Sequence, residues 1–300
     1  MIRAAELQRA RFAALDPLLP PPSALPPGDP VEAAGAAGTI AHVRFPAGSW
    51  QRLWSPAQLQ ILSAVLGRNA GAGMNALLSA WRERITLAGA ETDSSCTVTW
   101  PSRDVVVARA LLDHGLTPQL ALAVRAPAPG RAHAVPGVTV RESRRGDLEE
   151  IVELRYEELR YTSYVGHGVL QPGARALLAE EVSRGLQFGG RVWIAEEEGV
   201  TVGMVTGGKR SPAPGDALAG RVRPGEWGYL GTLAVTAAAR GRGIGRALTA
   251  VAHDELFSPS LTGTFVSYNP ANPLSPVFWH RQGYRPLWTT WAVSPATALR

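Results

Sequence analysis

Cysteine, lysine and long apolar runs are scarce in this sequence, and each scarcity excludes something. The 300 residues include one cysteine, Cys96, so a disulfide framework or a cysteine-ligated zinc or iron–sulfur centre within one chain is excluded. His253 and His280 have no partner histidine at metal-ligand spacing, and we expect no metal site. No stretch approaches the ~18 consecutive apolar residues of a membrane span. Residues 1–6 lack the apolar core of a signal peptide. We expect a cytoplasmic protein with no membrane partner.

Acidic residues are outnumbered by basic ones, and the basic residues are almost all arginine. The 30 basic and 25 acidic residues give a net charge of +5, and Lys209 is the one lysine. An excess of arginine can indicate nucleic-acid binding, but these arginines are scattered along the chain. Together with the abundant alanine, glycine and proline, this usage is typical of a GC-rich bacterial genome. We therefore expect no nucleic-acid partner.

Length and composition describe a folded chain with room for two domains. Hydrophobic residues make up 45% of the sequence and charged residues 18%, as in ordinary globular proteins. Two proline- and glycine-rich stretches, 17–38 and 126–137, predict linkers. The predicted division in chain order is an N-terminal helix with its linker (1–38), a first domain (39–125), a second linker (126–137) and a C-terminal domain (138–300).

Strand and helix patterns alternate between Val138 and Val293. Short apolar runs, among them 192–195 and 227–235, predict strands, and apolar spacings near 3.6 residues predict helices between them. This alternation predicts an α/β fold, an α+β mixed sheet with helices on both faces. In the first half, the segment 59–66 fits a helix as readily as a strand.

A glycine-dense turn, 233–245, joins a predicted strand to a predicted helix. Glycines allow the backbone to approach a ligand closely, and the free N–H groups of a first helical turn bind anions. Arg242 and Arg246 can add positive charge. The segment therefore predicts a phosphate-bearing ligand. Its G-x-G-x-G spacing differs from the dinucleotide fingerprint, and the P-loop-like run 203–209 is followed by Arg210, where a Ser or Thr must hold Mg²⁺.

A second motif follows, and the two together resemble the GCN5-related N-acetyltransferase (GNAT) superfamily. In that family an R/Q-x-x-G-x-G/A motif binds the pyrophosphate of acetyl-CoA, and an N-x-x-A/S-x-x-F-Y-x-x-x-G-F helix flanks the pantetheine arm. The first motif is matched here by Arg240, Gly243 and Gly245. The second is matched at five positions, Asn272, Ser275, Phe278, Gly283 and Tyr284. The resemblance extends over 138–293 and implies a C-terminal GNAT domain.

The resemblance implies an enzyme, an acetyl-CoA-dependent N-acetyltransferase. Acetyl-CoA would donate the acetyl group, and the amine of a small molecule would attack the thioester directly. An acyltransferase that uses a longer acyl-CoA or a protein N-terminus stays open, as does a non-catalytic module that binds CoA or another protein. We expect a monomer or a homodimer. The implied cofactor-binding residues are Leu233, Val235, Arg240, Gly241, Arg242, Gly243, Gly245, Arg246, Asn272, Ser275 and Phe278.

Two residues near the start of the strand 227–235 are the candidate bases. A lysine-like amine with a pKa of about 10.4 is mostly protonated at neutral pH, and a positioned base contributes about 10²–10⁴-fold. The resemblance places a carboxylate base on this strand, which makes Glu226 the first candidate and Tyr229 the second. It also assigns stabilisation of the oxyanion to a backbone N–H near 233–235.

The general acid departs from the family pattern. The family often has a tyrosine after the aromatic residue of the second motif, where it protonates the leaving thiolate. Trp279 stands at that position, and an indole is not a useful acid. Tyr268, Ser275 and Tyr284 are the candidates, with solvent and a purely structural role for each as the alternatives. Tyr284 joins Glu226 and Tyr229 in the set of predicted catalytic residues.

The acceptor is expected between the first two helices of the C-terminal half and the strand 227–235. Tyr161, Tyr164 and His167 fall in the turn between those helices, and Glu157 and Glu158 precede them. Aromatic and acidic groups suit an amine cation. The alternative is that the aromatic rings pack and the carboxylates are solvated.

The first half repeats part of the second. An offset of 168 residues aligns 96–100 with 264–268 and Asp104 with Asn272, and the glycine motif is echoed by Arg68, Gly71 and Gly73. A carboxylate at position 104 would repel a phosphate-rich ligand. We therefore interpret 39–125 as a degenerate, partial GNAT-like domain that is structural or shapes the acceptor pocket.

Overall fold

One mixed sheet of eleven strands runs through the part of the chain that the structure describes. The computed structural model describes residues 2–88, 91–166, 168–213, 215–216 and 218–300. The strands are β1 (Asp29–Ala33), β2 (Ala36–Arg44), β3 (Gln58–Val65), β4 (Ser94–Pro101), β5 (Thr117–Arg125), β6 (Val138–Glu142), β7 (Arg191–Glu197), β8 (Val200–Arg210), β9 (Trp227–Val235), β10 (Gly263–Tyr268) and β11 (Arg285–Val293). The helices are α1 (Ile2–Leu15), α2 (Ala70–Ala88), α3 (Val105–Asp113), α4 (Leu148–Val165), α5 (Ala174–Gln187), α6 (Ile244–Leu256) and α7 (Ser275–Arg281).

The two halves of the chain repeat one order of elements. In the C-terminal half, β9 and β10 pair in parallel and α6 connects them. In the N-terminal half, β3 and β4 pair in parallel and α2 connects them. A short helix and an antiparallel strand follow each unit, α7 with β11 and α3 with β5. The segments 96–100 and 264–268, matched by the sequence offset, lie in the equivalent strands β4 and β10.

The last strands of the two halves, β5 and β11, have exchanged places, so that each pairs with a strand of the other half. The order in the sheet is β1-β2-β3-β4-β11-β5-β10-β9-β8-β7-β6, so β11 lies beside β4 and β5 lies beside β10. Thr289 pairs with Trp100 across the first contact, and Val266 pairs with Ala123 across the second. The two halves therefore share one hydrogen-bonded sheet, and the segment 126–137 connects them without separating them.

The proline- and glycine-rich stretch 17–38 differs from the predicted linker, because β1 and the start of β2 form within it. Val31 of β1 is buried in the core. Gly38 lies so close to β3 that a Cβ there would be 2.6 Å from the carbonyl oxygen of Ser63. This glycine permits strand packing, which the composition alone does not distinguish from a flexible connection.

The ambiguous segment 59–66 is a strand over most of its length, β3. Leu62 and Ala64 are buried, so burial follows the two-residue period of a strand. The core of this half gathers β-strand residues with the inner face of α2, including Trp81. Phe12 of α1 adds to that core, with its ring centroid 5.6 Å from those of Trp100 and Trp288.

The described residues form neither a membrane-spanning helix nor a cluster of metal ligands. None of the helices there is long and apolar enough to cross a membrane. The same residues hold no group of three or more His, Cys, Asp or Glu side chains placed to bind a metal ion.

Candidate active site

The site opens where β9 leaves β10. Their parallel pairing ends at Leu230 and Val266. Between Leu230 and Leu233, β9 inserts one residue more than β8 does opposite it, which is a β-bulge. The side chain of Thr206 occupies the bulge, and its Oγ1 accepts a hydrogen bond of 2.9 Å from the N–H of Thr232. Residues 231–235 therefore turn away from β10, and one edge of β9 faces open space.

A cavity of about 1390 Å³ fills that space. It exceeds the roughly 300–1,000 Å³ of ordinary ligand pockets. Its walls come from α4, α5, β9, the glycine-dense turn, α6, β10 and α7, and the N-terminal half adds Trp54, Leu120 and part of 125–131. An extended ligand and a second, smaller one can both be accommodated in a volume of this size.

The glycine-dense turn, 233–245, forms one end of the cavity. Gly241 and Gly243 have φ angles of 78° and 90°, a left-handed conformation that favours glycine. α6 begins directly afterwards at Ile244, and the first N–H groups of a helix lack partners within it. A Cβ on Gly245 would lie 3.5 Å from the ring of Phe278. The turn therefore presents backbone donors at a helix N-terminus to the cavity.

Ten of the eleven predicted cofactor-binding residues line the cavity, and Arg242 does not. Arg242 forms an ion pair with Glu197 of β7, with Nη1 2.8 Å from Oε2. Sequence spacing carries no signal for this pairing, because Glu197 is distant along the chain. The residues that line the cavity are Leu233, Val235, Arg240, Gly241, Gly243, Gly245, Arg246, Asn272, Ser275 and Phe278.

Asn272 has a role in the backbone of α7. Its Oδ1 accepts hydrogen bonds from the N–H groups of Leu274 at 2.9 Å and Ser275 at 3.2 Å. These bonds satisfy donors at the start of a short helix. The motif asparagine therefore fixes the start of α7 against the cavity without adding charge to it.

The first two predicted bases lie away from the cavity. Glu226 precedes β9, is 41% exposed, and places Oε2 3.5 Å from Nζ of Lys209. The ring of Tyr229 stacks on Phe265 with centroids 6.0 Å apart, and Arg210 lies 5.5 Å from its centroid. Neither side chain is among those that line the cavity.

Tyr284 is buried beneath the cavity. Its hydroxyl donates a 3.0 Å hydrogen bond to Thr264 Oγ1 and lies 2.7 Å from Nε2 of His253. Burial raises the pKa of Tyr284 to about 12. Burial, reinforced by Arg125, lowers the pKa of His253 to about 3. Tyr284 therefore belongs to a neutral hydrogen-bonded network in the core.

Trp279 and the remaining acid candidates lie at the cavity wall. Trp279 is 4% exposed and packs edge-on against Tyr284 at 5.4 Å, so the indole fills the core at this position. Ser275 and Tyr268 also line the cavity. The Tyr268 hydroxyl lies 2.8 Å from Nε2 of His280, and burial raises the pKa of Tyr268 to about 12.

A charged cluster forms the second end of the cavity. Arg155 of α4 donates from Nη2 to Glu181 Oε2 at 2.6 Å and from Nη1 to Glu158 Oε2 at 3.2 Å. The same Nη1 donates to Thr232 Oγ1 on the bulge of β9. Thr162 donates a 2.9 Å hydrogen bond to the other oxygen of Glu158. One guanidinium therefore links the two carboxylates to the strand that turns into the cavity.

The environment of Glu158 holds its pKa above the ordinary value of a glutamate. Burial raises the pKa of Glu158; Arg155 and the Thr162 hydroxyl oppose that rise, and Glu181 reinforces it. The sequence had singled out Glu157 and Glu158, both of which line the cavity. Arg155 and Glu181 were missed, although Arg155 occupies an inward helical position four residues from Leu159.

The N-terminal half covers this charged end. The guanidinium of Arg155 lies 5.1 Å from the ring centroid of Trp54. The carbonyl of Leu53 accepts a 2.9 Å hydrogen bond from the N–H of Val169. Leu53 itself is buried against α4 and α5. A short segment of the first half is therefore fixed onto the second half at the cavity.

Tyr161 and Tyr164, two of the residues predicted to bind the acceptor, lie in different places. Tyr161 lines the cavity, and Arg240 lies 5.8 Å from its ring centroid. Tyr164 is 78% exposed and borders a separate, smaller pocket. His167 lies outside the described residues.

Comparison with known proteins identifies the second half. The sequence pattern of the Acetyltransferase (GNAT) family matches residues 151–284. A GCN5-related N-acetyltransferase from Sphaerobacter thermophilus is similar in structure, with a TM-score of 0.52 and 18% identity over 87% of this chain and 78% of that one. A GCN5-related N-acetyltransferase from Kribbella flavida has a TM-score of 0.47 and 14% identity, with 98% of this chain and 96% of that one covered. A tandem GNAT protein from the clavulanic acid biosynthesis pathway has a TM-score of 0.49 and 16% identity, with 86% of this chain and 78% of that one covered. No curated relative matches the sequence.

The chain therefore contains a GNAT domain in its C-terminal half. The Sphaerobacter structure is similar over 87% of the chain, so the likeness in fold extends into the N-terminal half. The repeated unit of β3, α2 and β4 in the first half fits a tandem arrangement of two similar folds. Acyl transfer from acetyl-CoA is the general activity of the family.

Proposed function

We propose that this chain is an acetyl-CoA-dependent N-acetyltransferase whose acceptor is the amine of a small molecule. The observation that carries the proposal is one cavity that joins a helix N-terminus to a carboxylate cluster across the bulge of β9. One end suits phosphate, the other suits an ammonium group, and the strand edge between them is open. We further propose that 138–300 is the catalytic domain and that 39–125 shapes the acceptor end through Trp54. Because acetyl-CoA is an intracellular metabolite, we place the protein in the cytoplasm.

The donor end would hold acetyl-CoA by its phosphates and its pantetheine arm. The N–H groups at the start of α6, with Arg240 and Arg246, suit the pyrophosphate. The open edge of β9 at 233–235 supplies backbone groups for the amides of the arm, and Phe278 bounds it on the side of α7. Bound acetyl-CoA supplies the thioester that the amine attacks.

The acceptor end would bind and deprotonate the amine. Glu157, Glu158 and Glu181 line this end against the single guanidinium of Arg155, so carboxylates outnumber the positive charge there. We assign the base to Glu158, because it lies in the cavity and shares Nη1 of Arg155 with Thr232 of β9. Glu226 and Tyr229 lie away from the cavity and are less suited to the role.

The oxyanion and the leaving thiolate need donors. The N–H of Thr232 is already bonded to Thr206, so we assign the oxyanion to an N–H of 233–235, where such a donor is worth about 3–4 kcal/mol. Tyr268 lines the cavity and is the side chain that we propose protonates the thiolate, in competition with solvent. Trp279 packs in the core beside it.

The first test is binding. Calorimetric titration with acetyl-CoA should give one site per chain, because α1 lies at the end of β3 in the first half, where Gln8 bonds the backbone of Ala64 and Leu66. Two sites per chain would contradict a degenerate first half. Absence of binding at millimolar acetyl-CoA would contradict the proposal as a whole.

The second test is turnover with a matched pair of α4 variants. Release of CoA thiol is followed with a panel of small amines, and Glu158→Gln should lower kcat by about 10²–10⁴-fold with the KM for acetyl-CoA within about twofold. Glu153→Gln is the control, because Glu153 is exposed on the same helix and pairs with Arg175 at 2.6 Å. Turnover by Glu158→Gln at more than a third of the parent rate would exclude Glu158 as the base. Binding without thiol release from any amine would favour the non-catalytic module.

A further inference from the structure

Five arginines that line the cavity have no carboxylate partner within the described ranges. They are Arg125, Arg131, Arg240, Arg246 and Arg281. Arg155, the sixth arginine of the lining, is fully engaged with Glu158 and Glu181, and Arg242 just outside it is paired with Glu197. Unpaired guanidinium groups around one cavity create a field that favours a polyanion.

Two of these arginines come from the N-terminal half and the segment that follows it. Arg125 ends β5, and Arg131 lies in the connection 126–137. This connection is packed along α6. A Cβ on Gly130 would overlap the carbonyl oxygen of Ala250 in α6, and a Cβ on Gly243 would lie 2.6 Å from Nε2 of His133. The connection is therefore a wall of the cavity, and glycine makes both close approaches possible.

The cavity extends from the start of α6 along the groove between α6 and α7. Ala250 and His253 of α6 line it on one side, and Arg281 and Gly283 at the end of α7 line it on the other. A Cβ on Gly283 would lie 3.9 Å from the side chain of Arg125. Arg125 therefore lies beside the end of α7, where Arg281 also lines the cavity.

The number of positive charges exceeds what a diphosphate needs. The α6 N-terminus with Arg240 and Arg246 already supplies donors for a diphosphate. Arg131 and Arg281 are further positive charges in the cavity lining, as is Arg125, whose guanidinium lies against the Tyr284 hydroxyl. A phosphate monoester carries about −1.5 to −2 charge at neutral pH, and arginine binds it through paired N–H donors. Coenzyme A has one such group, the 3′-phosphate on its ribose, beyond the diphosphate as seen from the thiol.

We propose that Arg125, Arg131 and Arg281 form a subsite for the ribose 3′-phosphate of the donor. The connection 126–137 then has a binding role, and the exchanged strand β5 carries a cofactor residue into the catalytic half. This inference rests on the proposed function, since it presumes a CoA thioester as donor.

The test compares CoA with 3′-dephospho-CoA by calorimetry on the full chain. The parent protein should bind CoA at least tenfold more tightly than dephospho-CoA. Arg131→Ala and Arg281→Ala should each remove most of that preference by weakening CoA binding, with dephospho-CoA affinity within about twofold. Arg145→Ala is the matched control, because Arg145 is exposed on the short helical turn before α4 and outside the cavity, and it should leave both affinities unchanged.

Each outcome separates the two proposals. Equal binding of CoA and dephospho-CoA by the parent protein would overturn the subsite and leave the acetyltransferase proposal intact. An equal loss of both affinities in the arginine variants would place these side chains on the diphosphate and also overturn it. Failure of the parent protein to bind either compound would remove the acetyltransferase proposal itself. Thermal unfolding of each variant confirms that lost binding reflects the removed charge.

Discussion

The two halves carry the same strand–helix–strand unit, yet one groove is open and the other is filled by the chain itself. In the C-terminal half, the edge of β9 faces a cavity. In the N-terminal half, α1 lies at the equivalent end of β3, where Gln8 bonds both the carbonyl of Ala64 at 3.2 Å and the N–H of Leu66 at 2.7 Å. The Gln8 amide thus binds backbone groups at the end of β3.

The difference between the two grooves is explained by Asp104, which lies between β4 and α3. Asp104 caps α3, as Asn272 caps α7, but it adds a buried negative charge. Arg11 of α1 neutralises that charge, with Nε 2.6 Å from Oδ2, and Trp100 donates a 2.9 Å hydrogen bond. Asp104 in the first groove binds an arginine of its own chain, whereas Asn272 in the second caps its helix without a negative charge.

The glycines of the two motifs serve different purposes despite equal spacing. A Cβ on Gly71 would lie 2.8 Å from a methyl group of Val106, and one on Gly73 would lie 3.1 Å from Ala36. In the second motif, Gly243 has a φ of 90° and a Cβ there would lie 2.6 Å from Nε2 of His133, whereas a Cβ on Gly245 would lie 3.5 Å from Phe278. In the first half the glycines permit close packing within the core, and in the second Gly243 permits a left-handed turn and the approach of His133 at the cavity wall. Glycine spacing predicts a close approach, and only the neighbours decide whether a ligand or the chain makes it.

The largest effect expected from this comparison of the two halves is a loss of acetyl-CoA affinity. Gly243→Val places a side chain where φ is 90° and against His133, and it should lower acetyl-CoA affinity by about 100-fold or more. Gly71→Val should instead cost about 1–3 kcal/mol of stability through overpacking and leave affinity within about threefold. Calorimetry and thermal unfolding of both variants test this, and loss of binding in Gly71→Val would contradict the division of roles.

A smaller effect is expected on stability when the filled groove is loosened. Asp104→Asn removes the charge that holds Arg11, and the free energy of unfolding should fall by about 1–3 kcal/mol. Asp113→Asn is the matched control, since its pair with Arg109 is exposed and worth about 0–1 kcal/mol. Denaturant unfolding measures both. Equal losses would show that α1 is held by its apolar face, through Phe12, rather than by Asp104.

The same carboxylate should give the stability an acid dependence. Burial alone would raise the pKa of Asp104, but the bonds from Arg11 and Trp100 hold it below its ordinary value of 3.8. A depressed carboxyl pKa contributes stability that is present above the unfolded value and is lost as pH falls through the folded one. The stability difference between the parent protein and Asp104→Asn should therefore shrink below about pH 4. A constant difference down to pH 2 would exclude ionisation as its source.

The smallest effect distinguishes residues within the open groove. Arg242→Ala should change acetyl-CoA affinity by less than about twofold, because Glu197 already binds its guanidinium. Arg246→Ala, which removes an unpaired charge from the cavity wall, should lower affinity by about tenfold at low salt. Titrations at two ionic strengths measure this contrast. A tenfold loss in Arg242→Ala would show that Arg242 leaves Glu197 for the ligand.

Local sequence patterns predicted the elements of the second half and the glycine-dense turn, because strands, helices and turns depend on neighbouring residues. The segments 192–195 and 227–235 lie in β7 and β9. Contacts between distant segments could not be predicted in this way. The pair of Arg242 with Glu197, the link from Arg155 to Glu181 and the packing of α1 in the first groove each depend on tertiary structure. The strand 29–33 was missed because the prolines and glycines that surround it in 17–38 resemble those of a linker.

The exchange of β5 and β11 has a consequence for synthesis of the chain. The N-terminal residues leave the ribosome first, but the strand between β4 and β5 is β11, which is translated only after β6 to β10. Until β11 arrives, β4 lacks its neighbour on one edge, and such edges pair readily with other chains. In every newly made molecule the first half is therefore complete in sequence well before it is complete in structure.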